Sequence, residues 1–121
     1  MTAISFMFFI YIIYSEKFDK YYVGHSSNPY RRLEEHNNKL FNTFTSKYRP
    51  WKLAALFECG SNRGEAIIIE RYIKKQKSRR LLENLIKGEN IPISLAQLVR
   101  VPIRSGLIRG SLVQSCFTNL K

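Results

Sequence analysis

Two apolar, tyrosine-rich runs flank a short charged stretch near the start of the chain, at residues 9–24 (FIYIIYSEKFDKYYVG). Tyrosine and β-branched residues favour strands, and two such runs joined by a few polar residues are typical of a β-hairpin. The pattern predicts strands at residues 7–14 and 21–25. A chain with this hairpin has to build an antiparallel sheet around it.

The register of this hairpin places its tyrosines. With Tyr14 opposite Tyr21, Tyr11 lies opposite Gly24, and Tyr22 is its diagonal neighbour on the same face. Two phenols then converge beside a glycine, where a ligand or another backbone can approach closely. Core tyrosines with their hydroxyl groups at the rim of the sheet would give the same pattern.

The remaining elements alternate in type. Asn28-Pro29 predicts a helix start, followed by a helix to about residue 37, a loop to residue 50 and a strand at residues 51–59. Asn62 and Glu65 have the spacing of a capping box, and the two further helices predicted here end near residue 77 and at Gly88. We therefore expect an α+β fold, β-β-α-β-α-α, with a small three-stranded antiparallel sheet flanked by helices.

The predicted domain covers residues 1–88, with Met7 as an alternative start. Residues 89–121 show no sustained periodicity, so we expect a loosely ordered C-terminal tail. The apolar run at residues 4–14 lacks a basic flank and is too short to span a bilayer. Two cysteines without a metal-binding spacing support neither a disulfide scaffold nor a zinc site, and they fit a cytoplasmic protein.

The charge is strongly positive, with a formal net value of +11 and a pI near 10.0. Six of the ten residues at 71–80 are basic, and no carboxylate lies among them. Such a surface suits a polyanion, either nucleic acid or an acidic membrane. The predicted phosphate contacts are Arg31, Lys52, Arg71, Lys74, Lys75, Lys77, Arg79 and Arg80.

Two further features could carry chemistry. Glu70 falls on the apolar arc of its helix, where a carboxylate needs an ion-pair partner such as an arginine, or a metal. Arg32 and His36 are i,i+4 neighbours on the first helix and share a face, although such pairs are also common on surfaces.

Taken in order, these residues resemble the GIY-YIG nuclease family, above all its small single-domain members related to the N-terminal domain of UvrC. Phe9-Ile10-Tyr11 corresponds to the first motif without its glycine, and Tyr22-Val23-Gly24 corresponds to the second. Arg32 and Glu70 stand where the family has its arginine and its metal-binding glutamate. His25 follows the second motif, where many relatives have lysine and some have histidine.

The resemblance implies a metal-dependent endonuclease that hydrolyses DNA phosphodiester bonds with low sequence specificity. Cutting selected by DNA structure, in repair or recombination, would suit the family. Glu70 would bind one Mg²⁺ or Mn²⁺ ion, Tyr11 would deprotonate water, and Tyr22 would orient water or phosphate, or the two roles are exchanged. Arg32 would pair with the phosphate, while His25 and His36 complete the candidate catalytic set.

Other functions remain open at this point. The chain could be a catalytically inactive nucleic-acid-binding module, or a membrane-peripheral protein, although a basic amphipathic helix with bulky aromatics is missing from the sequence. The expected partner is duplex or branched DNA, with neither a membrane nor a small-molecule cofactor.

Overall fold

The computed structural model describes residues 7–38 and 43–103. One antiparallel sheet has the strand order β2-β1-β3-β4. Its strands are β1 (Phe9–Ser15), β2 (Lys20–Ser26), β3 (Lys52–Glu58) and β4 (Val99–Arg100). The helices are α1 (Pro29–Asn38), α2 (Phe44–Lys47), α3 (Arg63–Lys75) and α4 (Arg79–Lys87). The predicted α+β fold with helices around an antiparallel sheet is confirmed.

The hairpin has the expected register, with Tyr14 opposite Tyr21 and Tyr11 opposite Gly24. β1 lies in the middle of the sheet between β2 and β3, so side chains on both of its faces are covered. This is why its sequence is apolar almost without interruption.

Local sequence sets the helix ends as predicted. The side chains of Asn28, Asn62 and Ser78 accept hydrogen bonds from backbone N–H groups in the first turns of α1, α3 and α4. Gly88 ends α4 in the left-handed conformation, with φ of 77°.

The prediction of three strands is wrong, because the sheet has a fourth strand, β4. This two-residue strand pairs with Phe57 and Glu58 of β3, and it is too short to produce a visible periodicity. It lies in the segment expected to be a loose tail. Within that segment Leu95 is only 1 % exposed and packs in the main core.

The domain boundary at residue 88 stays a prediction, and the expectations for residues 104–121 and for Cys116 lie outside the described residues. The loop predicted between α1 and β3 contains a short helix, α2, in its described part. Within the described ranges, no helix combines the length and the apolar character needed to cross a membrane.

The sheet separates two cores. Residues of α3 and α4 cover one face, with Ile10, Ile12 and Val23 from the hairpin. On the other face Tyr11 and Ile13 pack with Trp51, and with Leu33 of α1. Because β2 is an edge strand, groups from both faces can meet around it.

Candidate active site

Tyr11 and His36 form the centre of the site. The Tyr11 hydroxyl oxygen lies 2.8 Å from Nε2 of His36. Gly24 makes this placement possible, since a Cβ at that position would overlap the Tyr11 phenol. The glycine therefore accommodates the tyrosine ring of its own hairpin, rather than the ligand or backbone that we expected.

Burial controls the protonation of this pair. It raises the pKa of Tyr11 to about 12, although the nearby Arg32 guanidinium acts in the opposite direction. Burial, and then the positive charge of Arg32, lowers the pKa of His36 to about 4. At neutral pH both groups are uncharged. In the protein alone, the positive charge of Arg32 does not suffice to favour the Tyr11 phenolate at neutral pH.

Thr45 on α2 holds the other ring nitrogen of His36. Its Oγ1 atom lies 2.9 Å from Nδ1 of His36. The backbone carbonyl of Thr45 also accepts a hydrogen bond from Nε1 of Trp51 at 2.9 Å. Both nitrogens of the imidazole are thus engaged, which fixes the orientation of the ring.

Arg32 presents an unsatisfied donor next to this pair. Within the described residues, the Nε atom of Arg32 is buried and has no hydrogen-bond partner. Its Nη1 lies 3.6 Å from Glu35. Arg32, Glu35, His36 and Tyr22 line a pocket of about 210 Å³. A guanidinium that lines such a pocket, on a side chain that is 43 % exposed, suits an anion with several acceptor oxygens, such as a phosphate.

Glu70 lies on the other side of β2, where two side chains contact its carboxylate oxygens. Its Oε1 is 2.5 Å from Nδ1 of His25, and its Oε2 is 2.6 Å from Nζ of Lys74. Burial alone would raise the pKa of Glu70, but the hydrogen bonds from His25 and Lys74 outweigh it and lower that pKa. Glu70 is therefore a carboxylate at neutral pH. The lysine or arginine side chain that forms an ion pair with Glu70 is thus Lys74, and not the arginine that we expected.

Lys74 joins the two halves of the site. Besides its ion pair with Glu70, its Nζ lies 4.6 Å from the centre of the Tyr22 ring. Tyr22 in turn contacts the His36 ring edge-on, with 5.2 Å between ring centres. A continuous series of contacts thus runs around the edge strand from Glu70 to Tyr11.

Glu70 supplies a single carboxylate to which a divalent metal ion could bind. Residues 7–38 and 43–103 contain no group of three or more histidine, cysteine or carboxylate side chains that could bind a metal. A single carboxylate can hold Mg²⁺ when water and substrate oxygens supply the other ligands. Glu70 has the required charge.

The structure brings together all six of the predicted catalytic and metal residues: Tyr11, Tyr22, His25, Arg32, His36 and Glu70. His25 contacts Glu70 and belongs to that half of the site. Sequence reasoning missed Glu35, Phe44 and Thr45. The region around Phe44 and Thr45 shows no periodicity, so no sequence signal marked them.

The predicted phosphate contacts are spread over the surface. Lys74 is part of the site, and Lys77 and Arg79 line a neighbouring groove. Arg79 is also paired with Asp19 and Glu83, so part of its charge is neutralised within the protein. Arg31 and Lys52 have acidic neighbours at 3.7 and 3.6 Å. Arg71, Lys75 and Arg80 are exposed.

Comparison with known proteins identifies a family match. The chain is 33% identical over 76 residues to a "Structure-specific endonuclease subunit SLX1" from Meyerozyma guilliermondii. That stretch covers 59% of this chain and 26% of the relative, so the chain spans about a quarter of the relative's length. Residues 7–84 match the family described as the GIY-YIG catalytic domain. The chain therefore belongs to the GIY-YIG family of nucleases.

Proposed function

We propose that the protein is a metal-dependent endonuclease that hydrolyses DNA phosphodiester bonds. The observation that carries this proposal is the Arg32 side chain, which lines a pocket with Tyr22 and His36 and whose Nε has no hydrogen-bond partner. A phosphate bound there would accept from the guanidinium and would lie close to both tyrosines. Planar, two-point pairing of this kind is what arginine offers a phosphate.

Hydrolysis also requires a proton acceptor for water, and the two tyrosines can divide this work in two ways. In the first, Tyr11 takes the proton from water and passes its own proton to the neutral His36, to which it is hydrogen-bonded. A phosphate beside Arg32 would offset the guanidinium charge and so raise the pKa of His36, which makes it a better acceptor.

The exchanged assignment has its own support. Tyr11 is only 1 % exposed, whereas Tyr22 lines the pocket. In that case Tyr22 meets the water, and Tyr11 holds His36 in position. Tyr11→Phe and Tyr22→Phe separate the two assignments, because replacing the tyrosine that receives the proton should cause the larger loss of cleavage rate.

Glu70 would hold the Mg²⁺ or Mn²⁺ ion, with His25 orienting its carboxylate. When bound, such an ion supplies a Lewis acid that stabilises the charge on phosphoryl and leaving oxygens. Lys74 contacts the same carboxylate and has to share or release it when an ion binds.

The test is single-turnover cleavage of end-labelled linear and branched DNA, with Mg²⁺, with Mn²⁺ and with a chelator. Tyr11→Phe and Glu70→Gln should lower the rate at least about 100-fold while DNA binding persists. The matched controls are Tyr14→Phe, on the same strand, and Glu83→Gln, an exposed carboxylate of α4; both should cut normally.

The alternative is a catalytically inactive nucleic-acid-binding module. Salt-sensitive DNA binding without cutting of any substrate by the unsubstituted protein would replace our proposal with this one. A role in repair or recombination, low sequence specificity and a cytoplasmic location stay predictions.

A further inference from the structure

Four aromatic side chains form a continuous row on the surface, which we call the aromatic row: Phe18, Tyr48, Phe44 and Tyr22. Successive ring centres are 5.3, 4.9 and 6.1 Å apart. The row begins at the turn between β1 and β2 and ends at the catalytic pocket. Phe18 and Phe44 are 40 % and 47 % exposed, which is unusual for phenylalanine in a domain with two cores.

Lysines accompany this row along its length. Nζ of Lys17 lies 5.4 Å from the centre of the Phe18 ring, and Nζ of Lys20 lies 5.1 Å from that of Tyr48. Lys74 occupies the corresponding place at Tyr22. Positive charge next to exposed ring faces is the arrangement with which proteins bind single-stranded nucleic acid, because bases stack on the rings and phosphates meet the cations.

A groove of about 510 Å³ follows the inner end of the row. Its lining includes Tyr22, Phe44, Lys74, Lys77 and Arg79. Tyr22 and Phe44 also line the smaller pocket that contains Arg32 and His36. The two cavities therefore share a wall, and a strand in the groove can continue into the catalytic pocket.

We infer that the aromatic row and this groove bind an unpaired DNA strand that adjoins the cleaved phosphodiester bond. Bases inside a duplex are already stacked on each other, so they cannot stack on Phe18 or Phe44. The row would thus favour DNA with a single-stranded branch or tail over blunt duplex. The position of the cut rests on the proposed nuclease function, whereas binding of the strand does not.

The experiment measures DNA binding by fluorescence anisotropy with a chelator present, so that cleavage plays no part. One probe is a blunt duplex, and the others are the same duplex with a single-stranded tail at the 3′ or the 5′ end. A 2-aminopurine in the tail reports stacking through the loss of its fluorescence. Phe18→Ala and Phe44→Ala are compared with Ile93→Ala, which removes a side chain that is 87 % exposed and outside the groove.

We expect each phenylalanine variant to lose about tenfold or more of its affinity for tailed DNA and little for blunt duplex. In both alanine variants the 2-aminopurine fluorescence should remain unquenched. A Phe44→Trp variant should show the quenching that Phe44→Ala lacks. Ile93→Ala should behave as the unsubstituted protein. Phe18 carries particular weight, since its ring contacts Tyr48 and none of the catalytic side chains.

Equal losses on tailed and blunt DNA, or none on either, would overturn the inference, as would quenching that survives in Phe18→Ala and Phe44→Ala. The nuclease proposal is judged separately: a protein that binds tailed DNA through the row but cuts nothing would contradict only that proposal.

Discussion

Replacing Gly24 with alanine tests whether the close approach of the Tyr11 phenol creates the active site. The added Cβ would overlap the phenol, whereas non-bonded carbons need about 3.5 Å. The ring or the strand then has to move by about 1 Å. Tyr11 is 1 % exposed, so the packed atoms around its ring leave little space for this movement. We expect a stability loss of about 1–3 kcal/mol from overpacking.

The same displacement should break the 2.8 Å hydrogen bond between Tyr11 and His36. A shift of this size in a catalytic group can cost about 100-fold in rate. Urea unfolding followed by circular dichroism gives the stability, and single-turnover cleavage of tailed DNA gives the rate per folded molecule.

Gly60→Ala is the matched control. Gly60 has φ of 99°, and a Cβ there meets no atom within 4 Å. Alanine should therefore cost about 1–2 kcal/mol through backbone strain alone, with no change in the cleavage rate of the folded protein. If Gly24→Ala keeps the stability and the rate of the unsubstituted protein, the reasoning about this contact is refuted.

Three further predictions concern the rest of the site. Because the pKa of His36 is lowered to about 4, the folded protein resists protonation of this side chain. The free energy of unfolding should therefore have its full value above pH 6.5 and fall by on the order of 2 kcal/mol towards pH 4. His36→Gln should reduce this slope in urea unfolding, and an unchanged slope would contradict the lowered pKa of His36. Thr45→Val leaves Nδ1 of His36 without its partner, so we expect a loss of about tenfold in kcat with KM unchanged, and a loss confined to KM would count against a positioning role. Lys74→Met removes the ammonium that contacts Glu70, so half-maximal cleavage should need less Mg²⁺; a higher requirement in a metal titration would show that Lys74 does not compete with the ion.

The sequence predicted those parts of the fold that depend on local signals. The alternating hairpin residues gave the correct register, and Asn28, Asn62 and Ser78 marked the helix starts. The missed strand, β4, is held by pairing with β3 and by the Arg100 side chain, which donates to backbone carbonyls at the end of α4. Contacts between distant parts of the chain leave no periodic pattern.

The candidate site was predictable to a similar extent. Residue types and their order indicated Tyr11, Arg32 and Glu70 as candidates, but they did not indicate how these residues are arranged. The raised pKa of Tyr11 could not be predicted from the sequence because it depends on burial, which outweighs the charge of Arg32. Thr45 was missed because its role comes from the hydrogen bond to His36, not from any pattern around it.

The placement of Trp51 has an optical consequence. It is the sole tryptophan of the sequence, it is 3 % exposed, and its ring centre lies 6.4 Å from those of both Tyr22 and Phe44. Its emission therefore originates from a ring in contact with the wall between the catalytic pocket and the groove. The protein carries a built-in fluorophore there, so changes at this wall can be followed without attaching a dye.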